Sequence, residues 1–151
     1  MAPEQPGPAR CIAQFNIARL RHPLGHPLTK PFEDLIDETN ARAEASPGFV
    51  WRHGIDTRAP EEDVYGDPFV TVNLSVWTSV EHLKDYVYGG FHRDVFRRRK
   101  EWFESSAVVL WWAAADERPT LTEGKRRLDH YLANGPSDLG FGFRDVGRGF
   151  D

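Results

Sequence analysis

FVTVNLSVW at 69–77, followed at once by TSVEHLKDYVYGG at 78–90, decides the fold. In the first stretch Val70, Val72, Leu74 and Val76 alternate with Thr71, Asn73, Ser75 and Trp77. A period of two sends these sets to opposite faces of a strand. The pattern then turns helical. Thr78-Ser-Val-Glu81 reads as a capping box, in which a hydroxyl and a carboxylate satisfy orphan amides reciprocally, and Gly89-Gly90 ends the helix.

Working toward the N-terminus, an acidic, turn-rich connection holds Glu61-Glu62-Asp63 and Gly66-Asp67-Pro68. Before it, 49–55 reads as a strand, the antiparallel neighbour of 69–77. Pro47-Gly48 stops a helix over 31–46, on which Phe32, Leu35, Ile36 and Ala43 fall near helical spacing. Pro23 and Pro27 make 22–27 a loop, and 11–20 is the first strand. Toward the C-terminus, 91–103 is a second helical piece and 107–115 a fourth strand. Thr120-Leu-Thr-Glu123 opens a capped helix that ends at Asn134-Gly135-Pro136, and 141–144 is a short edge strand. The order is βαββαβ plus a helix and a short strand. The fold class is therefore α+β and ferredoxin-like, an antiparallel sheet with helices on one face and a C-terminal addition. The Pro-rich residues 1–10 read as a flexible arm, 11–144 as one domain and 145–151 as a tail.

A chain of 151 residues can bury a sizeable single core. Its one cysteine, Cys11, allows no internal disulfide, and with no basic and apolar leader or long apolar run the expected compartment is the cytoplasm. Nineteen basic against 23 acidic residues leave a net charge of −4, with no global pull toward nucleic acid or anionic lipid. The five tryptophans supply large buried surfaces.

The Val/Leu face of 69–77 is expected to meet the helices. Phe15 and Ile17 pattern with it, which sends Gln14 and Asn16 to the side of Asn73 and Ser75. That polar face, opposite the helices, has the composition of a ligand pocket, unless its amides face solvent or satisfy one another. Phe49, Trp51 and His53 share one face of their strand, its direction left open. In 91–103, Phe91, Val95, Phe96, Trp102 and Phe103 form an apolar stripe from which His92 and Arg99 project, while Arg93, Arg97 and Lys100 fall on the solvated side. His92 is thus either a general acid or base, a ligand, or a satisfied core histidine. His22 and His26 lack the helix and third ligand that a metal site requires, and read as a pocket mouth or a rigid polar turn. No phosphate loop or nucleophile elbow occurs.

Leu74-Ser-Val-Trp77, Ser79-Val-Glu81 and His92 resemble the dimeric α+β barrel superfamily of antibiotic-biosynthesis-monooxygenase-like proteins. Phe15-Asn-Ile-Ala-Arg-Leu20, His22-Pro-Leu24, Pro47-Gly-Phe-Val-Trp-Arg52, His92-Arg-Asp-Val95, Arg97-Arg-Arg99, Glu101-Trp-Phe103 and Leu110-Trp-Trp112 resemble, more closely, a mainly bacterial family known only as a domain of unknown function. The superfamily resemblance implies a homodimer and a pocket between the sheet and its flanking helices. It implies cofactor-free oxygenation, cyclisation or isomerisation of an aromatic or polyketide-like metabolite. Haem binding or breakdown is the alternative, with Asn16, Trp77 and His92 similar in position and type to residues that serve there; a non-catalytic dimeric binding module is the third reading. In the first reading His92 is the base, Asn16 or Asn73 and Arg99 are donors to an enolate oxygen, and Trp51, Trp77 and Trp111 form an aromatic wall.

Overall fold

The computed structural model of the chain describes residues 10–55 and 64–150, without the side chains of Phe91 and His92. The expected arm up to residue 9 and the acidic residues 61–63 lie outside the described residues. The elements are β1 (Arg10–Leu20), α1 (Lys30–Glu44), β2 (Phe49–Arg52), β3 (Val70–Trp77), α2 (Val80–Val87), α3 (Gly90–Arg97), α4 (Arg99–Trp102), β4 (Phe103–Ala114) and α5 (Leu121–Asn134), then a 3₁₀ turn at Phe143–Asp145. The sheet runs β2-β3-β1-β4 with every pair antiparallel. This is the ferredoxin-like α+β plan.

Alternation along the strands sorts the core into two clusters, one on each face. On the first face Phe15, Leu74, Val76, Val109 and Trp111 pack with Leu121 and Leu128 of α5. The helix comes close because Gly124 has no side chain; a Cβ there would lie 2.4 Å from the Phe15 ring. On the second face Ile12, Trp77 and Leu110 pack with Ala43 of α1, Val80 and Leu83 of α2, and Phe141. Helices therefore cover both faces, which corrects the one-sided arrangement. The Val/Leu face does meet a helix, but that helix is α5, whereas α1 and α2 lie on the side that carries Gln14, Asn16, Asn73 and Ser75. The reason is visible at one end of that polar row: Trp77 and Ile12 are completely buried there and need an apolar cover of their own.

Local departures have local causes. The β2–β3 register slips between Phe49 and Trp51, so Phe49 pairs with Trp77 while Trp51 pairs with Val76. A bulge of this kind breaks the two-residue period. Phe49 consequently packs on the α1/α2 face and Trp51 on the α5 face, and they do not share a side. β2 ends at Arg52 and does not continue to 55. The cap of α2 is Ser79, whose Oγ accepts from the His82 amide, one residue later than the capping box expected at Thr78. Thr120 caps α5 as expected, accepting from the Glu123 amide. The piece at 91–103 is two short helices interrupted at Arg98, and Phe103 already belongs to β4. The expected strand at 141–144 is reduced to one bridge between Phe141 and Leu110 before the 3₁₀ turn. The expected tail is docked: the Phe150 ring stacks on Phe141 at 5.3 Å, and its carbonyl accepts the Trp112 indole N–H.

Candidate functional site

The polar row on the α1/α2 face is a connected ladder. The Trp77 indole N–H donates to Ser75 Oγ at 2.9 Å, and Gln14 Nε2 donates to the same oxygen at 2.9 Å and to Asn73 Oδ1 at 2.6 Å. Asn16 Nδ2 donates to Gln14 Oε1 at 2.7 Å. The register explains the assembly: Ile12 lies opposite Trp77, Gln14 opposite Ser75, and Asn16 opposite Asn73. Each cross-strand pair thus hands its polar atoms to the next along one face. Trp77, Ser75 and Gln14 are buried, Asn16 is half-buried and Asn73 is exposed. The ladder leads from the core to an open end. There, among the described residues, Asn73 Nδ2 and Asn16 Oδ1 carry no hydrogen bond. The inner amides do satisfy one another, as one sequence reading allowed; only the outer ends are available to a ligand.

The ladder's base is held by aromatic rings. Trp77 is stacked on Tyr86 at 5.1 Å and meets the edge of Phe49 at 5.5 Å. The Tyr86 hydroxyl donates to the Thr39 carbonyl at 3.0 Å, tying α2 to α1, and burial pushes its pKa up to about 12. Tyr86 was not singled out from the sequence, although Val80, Leu83 and Tyr86 at helical spacing form the stripe that would have found it.

The remaining candidates disperse. Trp111 is fully buried beneath α5, on the opposite face from Trp77 and the same face as Trp51. Trp77 and Trp111 therefore offer no ring face to a bound molecule, and the three tryptophans form no common wall. His53 lies in the turn after β2, its amide donating to the Leu74 carbonyl. His22 and His26 stack on one another at 4.5 Å in the loop after β1, a rigid turn in which His26 Nδ1 accepts the Leu28 amide. Arg99 lies over the Phe96 ring at 3.8 Å and donates to the Phe96 carbonyl at 3.0 Å, so its guanidinium is engaged by the preceding helix, α3. The interruption at Arg98 is what turns it there and undoes the single stripe expected over 91–103. In the rest of the basic run Arg98 pairs with Glu101 at 2.8 Å and Arg97 with Asp94 at 3.8 Å. His92 belongs to α3, and its side chain is outside the described residues. Sequence reasoning also passed over His82, whose Nδ1 meets Ser79 Oγ at 2.7 Å and whose ring fills the space a side chain on Gly48 would occupy.

A cavity of about 390 Å³ opens on the other face, beyond the end of α5, between Ile17, Val70, Ala107, Tyr65 and Leu132, with the Arg19–Asp67 ion pair on its rim. Ser105 and Ser106 also line it, but its two charged groups, Arg19 and Asp67, are spent on one another. Chemistry, more than volume, makes the ladder the stronger candidate. Among the described residues there is no cluster of metal ligands and no helix long and apolar enough to cross a membrane.

Solved structures of this shape exist. A protein of unknown function from Nitrosomonas europaea, NE2512, superposes with a TM-score of 0.53 at 11% identity, over 76% of this chain and 99% of its own. A second protein of that organism, proposed to be an antibiotic biosynthesis monooxygenase, gives 0.54 at 10% identity over 73% and 95%. A hydroxynitrile lyase from Passiflora edulis gives 0.51 at 16% identity over 74% and 100%. These likenesses show the fold, the ferredoxin-like architecture expected from the resemblance to antibiotic-biosynthesis-monooxygenase-like proteins. No curated protein matches the chain in sequence. Residues 11–148 match the model of a family described as a domain of unknown function, DUF3291, and the chain belongs to that family.

Proposed function

We infer that the chain is a small-molecule enzyme whose substrate is a hydrophobic, aromatic or polyketide-like metabolite held at the open end of the ladder. The observation that carries this reading is the pair Asn16 and Asn73, positioned from the core by Gln14 and Ser75, with outer atoms that have no partner among the described residues. Preorganised amides of this kind stabilise charge as it develops on a substrate oxygen. The base is His92 on α3, taking a proton from an acidic substrate carbon, and Asn73 Nδ2 donates to the enolate oxygen that results. Enolisation is the step shared by oxygenation, which then consumes O2, and by cyclisation or isomerisation, which does not. No cofactor is needed for it.

Haem suits the described residues less well. Arg99, the cation that the sequence projects beside His92, is committed to the Phe96 carbonyl and ring and is not turned out toward a dianionic ligand. Homodimer formation belongs to this proposal too. The part of the α5 face that α5 leaves open, around Ile17, Val70, Val72 and Ala107, is half-buried and apolar and suits a second copy.

The test is oxygen uptake and product analysis with polycyclic phenols, run without added metal or cofactor on wild type and His92→Ala. Turnover that His92→Ala abolishes while its circular dichroism is unchanged is the expected result. Full activity in the variant removes His92 from the role. Saturable binding without product leaves a binding module, and a saturable Soret shift with haemin that His92→Ala removes puts haem in its place. Sedimentation at micromolar concentration checks the dimer.

A further inference from the structure

The amides of the ladder cannot be oriented independently. Gln14 has one donor end and one acceptor end, and it stands between Asn73 and Asn16. Whichever way it is turned, the asparagine that meets its amino group must turn a carbonyl inward, and the other must turn an amino group inward. The outward ends of Asn16 and Asn73 are therefore opposite in kind. In the arrangement described, Asn73 presents Nδ2 and Asn16 presents Oδ1. The reverse is equally closed, because Ser75 can accept from the donor-only Trp77 indole and give its own proton to a Gln14 carbonyl. Reversal exchanges the outward ends without making them alike.

We propose that this complementary pair is the recognition element of the site, selecting ligands with a hydrogen-bond donor beside an acceptor on one edge. A hydroxy-ketone, an enolised diketone or a lactam has that edge; a molecule presenting only acceptors does not. The inference rests on the small-molecule reading above and narrows its substrate class. Asn16 and Asn73 lie directly opposite on adjacent strands, which sets their Cβ atoms about 4.5–5.5 Å apart, within reach of one ligand edge. Gln14, buried beneath them, is a positioning residue: it reaches the ligand only through the asparagines.

The test is equilibrium binding of a tricyclic hydroxy-ketone and of its O-methyl ether, which keeps the acceptor and loses the donor. Wild type is expected to favour the hydroxy-ketone about tenfold, since the ether leaves one amide end unpaired. Asn16→Asp supplies acceptors only. Facing it, Gln14 turns its amino group toward position 16, Asn73 turns its own inward, and both outer ends become acceptors. That variant should lose the preference for the hydroxy-ketone and gain one for a catechol, which offers two donors. Position 16 is half-buried, so the variant is expected to fold. Neutron diffraction from ligand-free crystals supplies an independent readout by locating the amide deuterons. Like ends outward on Asn16 and Asn73 would overturn the proposal, as would equal binding of the two probes by wild type. Binding without preference overturns this inference and leaves the site standing; no binding by any probe overturns the site and the inference with it.

Discussion

The two faces of the sheet treat a buried indole in opposite ways. On the α1/α2 face the Trp77 N–H is paired with Ser75, and from there a run of hydrogen bonds reaches the surface. On the α5 face the Trp111 N–H is buried with no partner among the described residues, and so is the Tyr65 hydroxyl. An Arg127 guanidinium lies over the Trp111 ring at 5.0 Å but cannot accept its proton. Leaving such a donor unpaired costs about 1–3 kcal/mol. The α5 face tolerates that cost because large, complementary apolar surfaces outweigh it. The contrast separates a face organised to orient polar atoms from one organised to pack, and only the first has the makings of a reactive site.

If that division is right, the largest stability loss comes from the packing face. Leu128→Ala removes a completely buried side chain between α5 and the sheet and should cost about 3–4 kcal/mol in denaturant unfolding. Gln14→Leu, of similar volume on the other face, should cost about 1–2 kcal/mol, because Trp77 keeps its Ser75 acceptor and the asparagines can reach water. A Gln14→Leu loss as large as that of Leu128→Ala would mean that the ladder carries the fold and would erase the distinction.

Alkaline titration sharpens it next. Tyr86 has a folded pKa of about 12 against an ordinary value of 10.0, so between those values the unfolded chain binds fewer protons than the folded one. Its contribution is fully present below pH 10 and is lost as the pH rises toward 12. The loss amounts to about 2–3 kcal/mol. Tyr86→Phe should flatten that part of the stability profile. Tyr65 on the α5 face is also raised to about 12, by burial and by Asp129; its hydroxyl is covered, but its wider surroundings are more open than those of Tyr86, so solvent screens the effect and Tyr65→Phe should change the profile less. An equal change from both would show that the two faces shield charge alike.

How far these features could be read from the sequence depends on the range of the interaction behind each. The period of two in 69–77 and the Thr120 cap are local, and both survive in the structure. Alternation also grouped Gln14, Asn16, Asn73 and Ser75 correctly, since a strand's pleat does not depend on its surroundings. It could not say which helix would cover which group, because that follows from long-range packing of α5 and from the glycine that lets it approach Phe15. The single bulge at Phe49–Trp51 reversed the relation between two aromatic residues, and the interruption at Arg98 turned Arg99 back onto Phe96. In both cases one residue of backbone irregularity redirected a side chain next to it. The ladder itself was legible as residues but not as bonds: mutual satisfaction of the inner amides depends on a register that only the paired strands supply.

The smallest expected effect is also the most direct test of the comparison. Trp77→Phe deletes a satisfied indole and leaves Ser75 with one fewer donor. Lost ring contacts and the lost hydrogen bond should together cost about 2 kcal/mol. Trp111→Phe deletes a ring of the same size at a site just as buried, so the packing loss is similar. There, however, the substitution also removes an unpaired donor, and that relief offsets most of the loss. The net change should be within about 1 kcal/mol of zero. Chemical denaturation of the two variants side by side measures the difference. Equal losses would mean that the Trp111 N–H is satisfied in solution, by a water or by the chain itself, and that the α5 face is not purely a packing surface.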